Sequence, residues 1–132
     1  MKRILLLSLI AVTALADAGP GWLGFSFLLR RNAAEQWLEV RIVAPGGPAD
    51  KAGLKVGDAI FEINGKPLKV RDDLAMLELL ATVKPRQPLT LTVARADQRL
   101  RMRIVADEMS DERYERWQLN LEVAKRKRAE AR

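Results

Sequence analysis

Apolar and polar positions mark out a run of short strands, two helices within the body of the chain and a third in its tail. Residues 22–29 are bulky and apolar apart from Gly24 and Ser26. That is the pattern of a strand buried on at least one face, and the glycines of GWLGFSF (21–27) put a turn at its start. After a polar turn over 30–36, WLEVRIV (37–43) alternates, with Leu38, Val40 and Ile42 on one face and Glu39, Arg41 and Val43 on the other. PGGPADKAGL predicts one short turn of helix over 49–52, with proline near its start and Gly53 past its end. Val56, Gly57 and Asp58 turn the chain into a strand, AIFEI, and Asn64-Gly65 is the strongest two-residue hairpin signal a sequence can carry.

A helix is expected over 70–83, with Asp72 and Asp73 at its N-terminus, where they suit the helix dipole, and Pro85 beyond its end. Its apolar residues, Leu74, Met76, Leu77, Leu79, Leu80 and Ala81, cover so wide an arc that it must touch structure on more than one side. PLTLTVAR and RLRMRIV form a hairpin around 96–98, with Leu89, Leu91 and Val93 opposing Leu100, Met102 and Ile104. Five or six short strands and two helices, one very short, within about 85 residues predict an α+β fold that is mainly β: a half-open barrel or sandwich closed on one side by a helix. Residues 107–132 form a C-terminal amphipathic helix with acids in its early turns, bases from Lys125 to Arg128, and a narrow stripe of Tyr114, Trp117, Leu121 and Ala124. Three roles are open to that stripe: docking on the domain, self-association or a partner surface, and peripheral contact with an anionic membrane through the basic end.

The chain's 132 residues allow one domain and a tail. It has no cysteine and no histidine, which excludes disulfides, thiolate or imidazole metal sites, cysteine nucleophiles and a Ser-His-Asp relay. Its 17 acidic residues show no clustering that suggests a carboxylate site, so neither metal nor cofactor is expected. Lys2 and Arg3 stand ahead of an apolar run over 4–16 that ends in small residues, the pattern of a signal peptide over 1–16, with an alternative cleavage after 18. The run is shorter than the roughly 20 residues a spanning helix needs. Export is therefore expected, to the periplasm if the cell is Gram-negative. Cleavage removes two of the six net positive charges, and most of the remainder lies at the far end of the chain. No nucleic-acid-binding face is expected.

Three segments together resemble the PDZ domains, specifically the bacterial kind attached to exported serine proteases of the high-temperature-requirement type. WLGF (22–25) looks like the carboxylate-binding loop of that family. GGPADKAGLKVGDAIFEINGKPL (46–68) is similar to its central signature, and DDLAMLELL followed by LTLTVAR looks like its groove helix and next strand. The resemblance implies a PDZ domain over 20–106, here without a protease domain, in which the final strand fills an edge of the sheet. It also implies a peptide groove. Trp22, Leu23, Gly24 and Phe25 would form the carboxylate loop, in which consecutive backbone N–H groups converge on an anion. Ser26, Phe27 and Leu28 would lie in the strand that pairs with the ligand, and Asp73, Leu77 and Leu80, spaced i, i+4 and i+7, would face it from the helix. The chain departs from the family at Arg86-Gln87, where a glycine is usual.

The leading expectation is an exported, non-enzymatic module that captures peptide C-termini with an apolar last residue by strand addition, as an adaptor or regulator. The alternative is a scaffold or oligomerisation protein that works through its C-terminal helix and has a weak or vestigial groove.

Overall fold

A computed structural model describes residues 19–131; the expected signal peptide and both of its cleavage positions lie outside the described residues. Six strands form one antiparallel sheet: β1 (Phe25–Arg31), β2 (Gln36–Val43), β3 (Ala59–Ile63), β4 (Lys66–Pro67), β5 (Pro88–Arg95) and β6 (Gln98–Val105). The order is β1-β2-β3-β5-β6, with the two-residue β4 paired to β3, so among the described residues β1 and β6 are the free edges. Three helices complete the fold: α1 (Pro48–Ala52), α2 (Asp73–Ala81) and α3 (Asp111–Glu130). No described helix is long and apolar enough to cross a membrane.

Side-chain alternation sets the register, because a slip of one residue would turn every apolar side chain of a strand to water. Leu89 pairs with Ile104, Leu91 with Met102 and Val93 with Leu100, as their alternation predicts. The inward faces of β2, β3, β5 and β6 supply Leu38, Val40, Ile60, Leu91, Val93 and Ile104, all fully buried, and Met76 of α2 closes over them.

Three predicted elements differ in detail. The first strand begins at Phe25 instead of Trp22. Gly24 has φ +81° and turns the chain, while Trp22 pairs backbone to backbone with Asp107 beyond the end of β6. Ile42, expected to face inward with Leu38 and Val40, is 64% exposed. The register between β1 and β2 slips at Ser26/Phe27, so that Val40 opposes Phe27 and Ile42 opposes Ser26. Arg41 is left as the extra residue of a bulge, which re-aims Ile42. The helix expected over 70–83 is shorter because Asp72 caps it: the Asp72 carboxylate accepts the Ala75 N–H at 3.0 Å. At its other end the Thr82 hydroxyl donates to the Leu79 carbonyl.

The turn at Arg86-Gln87 forms without glycine. Arg86 itself takes the left-handed conformation, φ +70°, and its N–H donates to the Ala106 carbonyl at 2.8 Å.

Candidate functional site

A cleft of about 690 Å³ runs between the free edge of β1 and helix α2. Its closed end is the turn before β1, which close approach of the backbone demands be built from glycine. A Cβ on Gly21 would lie 2.6 Å from Ala106 Cβ and 3.0 Å from the Lys84 carbonyl carbon, and one on Gly24 would meet Pro48 Cδ at 3.1 Å. The turn is tied down on both sides. The Gly21 N–H donates to the Val83 carbonyl, Trp22 and Asp107 exchange two backbone bonds, and the carbonyls of Leu23 and Gly24 accept from the Ala49 and Ala44 N–H groups. Among the described residues, the N–H groups of Leu23 and Gly24 find no acceptor. Two backbone donors without partners, in a fixed turn beside a strand edge, form a concavity suited to an anion.

All ten residues singled out in the sequence line this one cleft. Trp22, Leu23, Gly24 and Phe25 form its closed end, Ser26, Phe27 and Leu28 its strand side, and Asp73, Leu77 and Leu80 its helix side. Phe25 and Phe27 are half-buried against the core, with ring centroids 6.2 Å apart. Leu77 and Leu80 are half-buried on α2. The cleft wall is thus largely apolar behind the loop amides, and its strand side offers an edge to which an extended chain can add.

A third wall was not foreseen. Helix α3 packs along α2 through Trp117, Leu121, Ala124 and Arg128, most of the stripe recognised in the sequence displaced by one turn toward the C-terminus. Tyr114 stacks on Trp117 at 5.7 Å and stays partly exposed. The adjacent face, Arg113, Arg116, Asn120, Val123 and Lys127, lines the cleft. At the loop end the Arg113 guanidinium lies 3.6 Å from the centroid of the Trp22 ring. At the far end Arg128 grips Asp72 through two hydrogen bonds, and Lys127 Nζ stands 3.9 Å from Asp73 Oδ2. The hydrogen bonds from Arg128, helped by the Ala75 N–H, hold the Asp72 carboxyl far below the usual carboxylate range.

A second ion pair also escaped sequence reasoning. Asp58 is 2% exposed and receives Arg95 Nε at 2.8 Å, Arg95 Nη2 at 2.7 Å and the Lys55 N–H at 2.8 Å. Burial pushes its carboxyl up, but the Arg95 and Lys55 hydrogen bonds together outweigh burial and hold it below its ordinary value. Arg95 Nη2 donates also to the Gly53 carbonyl, so the pair ties the end of α1 to β5. It lies outside the cleft and is structural. Among the described residues no group of three or more acidic side chains is gathered as metal ligands would be.

The comparisons with known proteins bear on the family and the fold. The PDZ domain family model matches residues 39–95. The chain contains a PDZ domain. It is similar to a probable periplasmic serine endoprotease, DegP-like, of Ectopseudomonas mendocina (strain ymp), 34% identical over 106 residues that cover 72% of this chain and 21% of that protein. It is also similar to the Na(+)/H(+) exchange regulatory cofactor NHE-RF4 of Mus musculus, 40% identical over 73 residues, 55% of this chain and 14% of that one. Among solved structures, the HtrA3 PDZ domain bound to a phage-derived ligand (FGRWV) superposes with a TM-score of 0.55 at 23% identity, covering 67% of this chain and 86% of that one. The chain therefore spans only about a fifth or less of the curated relatives it matches, and what it shares with them is this binding module.

Proposed function

We propose that the protein is an exported peptide-binding module, with no catalytic step of its own, that captures the free C-terminus of partner proteins by strand addition. The observation that carries this reading is the pairing of unpartnered Leu23 and Gly24 N–H groups with a free strand edge in one apolar cleft. The terminal carboxylate of the ligand takes the loop amides of Leu23, Gly24 and Phe25. Its last side chain, apolar, enters between Phe25, Phe27, Leu77 and Leu80, and its backbone pairs with Ser26, Phe27 and Leu28. Asp73 faces the residue two places upstream and favours a hydroxyl or a base there. Export is supported by the N-terminal pattern and by the periplasmic name of the DegP-like relative. The ligand FGRWV of the HtrA3 PDZ domain ends in an apolar residue, as this cleft would require of its own.

Affinity in the micromolar range is expected. A few hydrogen bonds at about 0.5–1.5 kcal/mol each and one buried side chain at about 1.5–3 kcal/mol are offset by the ordering of the peptide. The reading in which the tail helix alone does the work is less favoured, because Trp117, Leu121 and Ala124 are occupied in packing on α2.

Amide NMR tests the proposal. Titration with a short peptide ending in valine should move the Leu23, Gly24 and Phe25 N–H resonances together and downfield, as new hydrogen bonds do. Shifts confined to α3, or none, reject it.

A further inference from the structure

The side of α3 that faces the cleft has a chemistry the other two walls lack. Arg113, Arg116, Asn120, Val123 and Lys127 recur at intervals of three and four, so they form one continuous helix face, beside the stripe that packs on α2. Three of the five are cations. Among the described residues, the only acid that lines the cleft is Asp73, and Lys127 already stands 3.9 Å from it. Glu112 lies 3.7 Å from Arg116, but both side chains are largely exposed, so that pair offsets little of the positive field.

The helix also runs the right way and far enough. It starts beside the loop, where Arg113 covers Trp22, and reaches the beginning of α2, where Lys127 and Arg128 meet Asp73 and Asp72. The fourteen steps of helix from Arg113 to Lys127 span roughly 21 Å, the length of about six residues of extended peptide. From Asp73 to Leu80, α2 spans only roughly 10 Å, about three such residues. Because Lys127 meets Asp73, the basic face flanks the same stretch of peptide as α2, from the terminus to the residue that Asp73 faces.

We propose that α3 is a third wall of the peptide site, and that Arg113, Arg116 and Lys127 make it select C-terminal segments carrying acidic residues upstream of an apolar last residue. This rests on the peptide-binding reading above and names the ligand class for the same site. Arg113, stacked on Trp22 at the closed end, adds a positive charge near the terminal carboxylate. Arg116 and Lys127 flank the residues immediately upstream of it. Because these cations are exposed, the selection is electrostatic and screened by salt.

The test uses the chain and three fluorescent peptides that share a terminal valine and a serine two places from it. Their residues one and three places from the terminus are glutamate, glutamine or lysine, and each has an amidated counterpart. At low salt the glutamate peptide should bind about five- to tenfold more tightly than the lysine peptide, and the difference should shrink at about 1 M salt, where screening acts within about 3 Å. Arg116→Glu should abolish or invert the preference and Arg116→Gln should reduce it, both with an unchanged helical circular dichroism signal. Equal affinity for all three free peptides, with amidation still abolishing binding, would overturn this proposal and leave the peptide-binding reading standing. Binding of none of them would overturn both.

Discussion

Arg128 and Asp72 join the two helices that flank the cleft: Arg128 Nε lies 2.7 Å from Asp72 Oδ2, and Nη2 lies 2.6 Å from Oδ1. The same carboxylate caps α2 through the Ala75 N–H. One side chain therefore both starts the groove helix and anchors the tail helix to it. Planar two-point pairing of this kind fixes orientation as well as distance. Arg128→Ala should release the C-terminal half of α3, with faster amide hydrogen exchange over 121–130 and new tryptic cleavage there, while exchange in β5 and β6 is unchanged. Retained protection in the variant would show that Trp117, Leu121 and Ala124 hold the helix alone. Arg128→Lys, which keeps the charge and loses the fork, should be intermediate.

Docking of α3 should weaken in acid. The Asp72 carboxyl is held far below its ordinary value in the folded chain, so its contribution is fully present above the unfolded value of about 3.9 and is lost progressively as pH falls below it. Asp58 is lowered too and acts in the same sense. Protection of α3 measured by hydrogen exchange should be flat from neutrality to about pH 5 and fall below about pH 4. Asp72→Asn should remove most of that fall for α3.

Leaving Asp58 without its guanidinium should be costly. A carboxylate with 2% exposure cannot recover hydration, so Arg95→Met should destabilise the domain by about 3 kcal/mol through the unpaired Asp58. Asp58→Asn should cost less, because the Arg95 side chain left behind is a third exposed. Chemical denaturation of the two variants checks the order.

Arg86 marks a position where a substitution should stabilise. It sits at φ +70°, and its ion pair with Glu108 is mostly in water. A left-handed conformation costs a non-glycine residue roughly 1–2 kcal/mol, partly offset by the greater chain entropy of glycine, so Arg86→Gly should gain about 0.5–1 kcal/mol. A thermal melt with a higher midpoint bears this out; a lower one shows that the Arg86 side chain matters more than its backbone.

What could be read from the sequence divides along physical lines. The pairing of β5 with β6 was legible because Leu89, Leu91 and Val93 alternate with a period of two, and alternation together with the tight turn near 96–98 fixes register. The ten residues named for the groove were placed by the resemblance to the PDZ family, with the glycine turn and the i, i+4, i+7 helix face as the local patterns beneath it. The Arg41 bulge left no local mark, so the exposure of Ile42 could not be foreseen, and Arg86 hid a left-handed turn because nothing in its side chain announces one. The basic wall was invisible for a different reason. Arg113, Arg116, Asn120 and Lys127 read as the solvated face of an amphipathic helix until the neighbouring stripe is seen to dock beside the groove. Asp58 and Arg95, 37 residues apart, meet only through the sheet.

In the proposed function, the Leu23, Gly24 and Phe25 amides capture a free C-terminus. Fluorescence anisotropy with paired peptides that end in valine, one with a free carboxylate and one amidated, tests it most directly. Micromolar binding of the free form and at least a tenfold loss on amidation are expected, since the loop would lose its charge-assisted hydrogen bonds, worth about 1.5–3 kcal/mol each. Equal affinity for the two forms would contradict it.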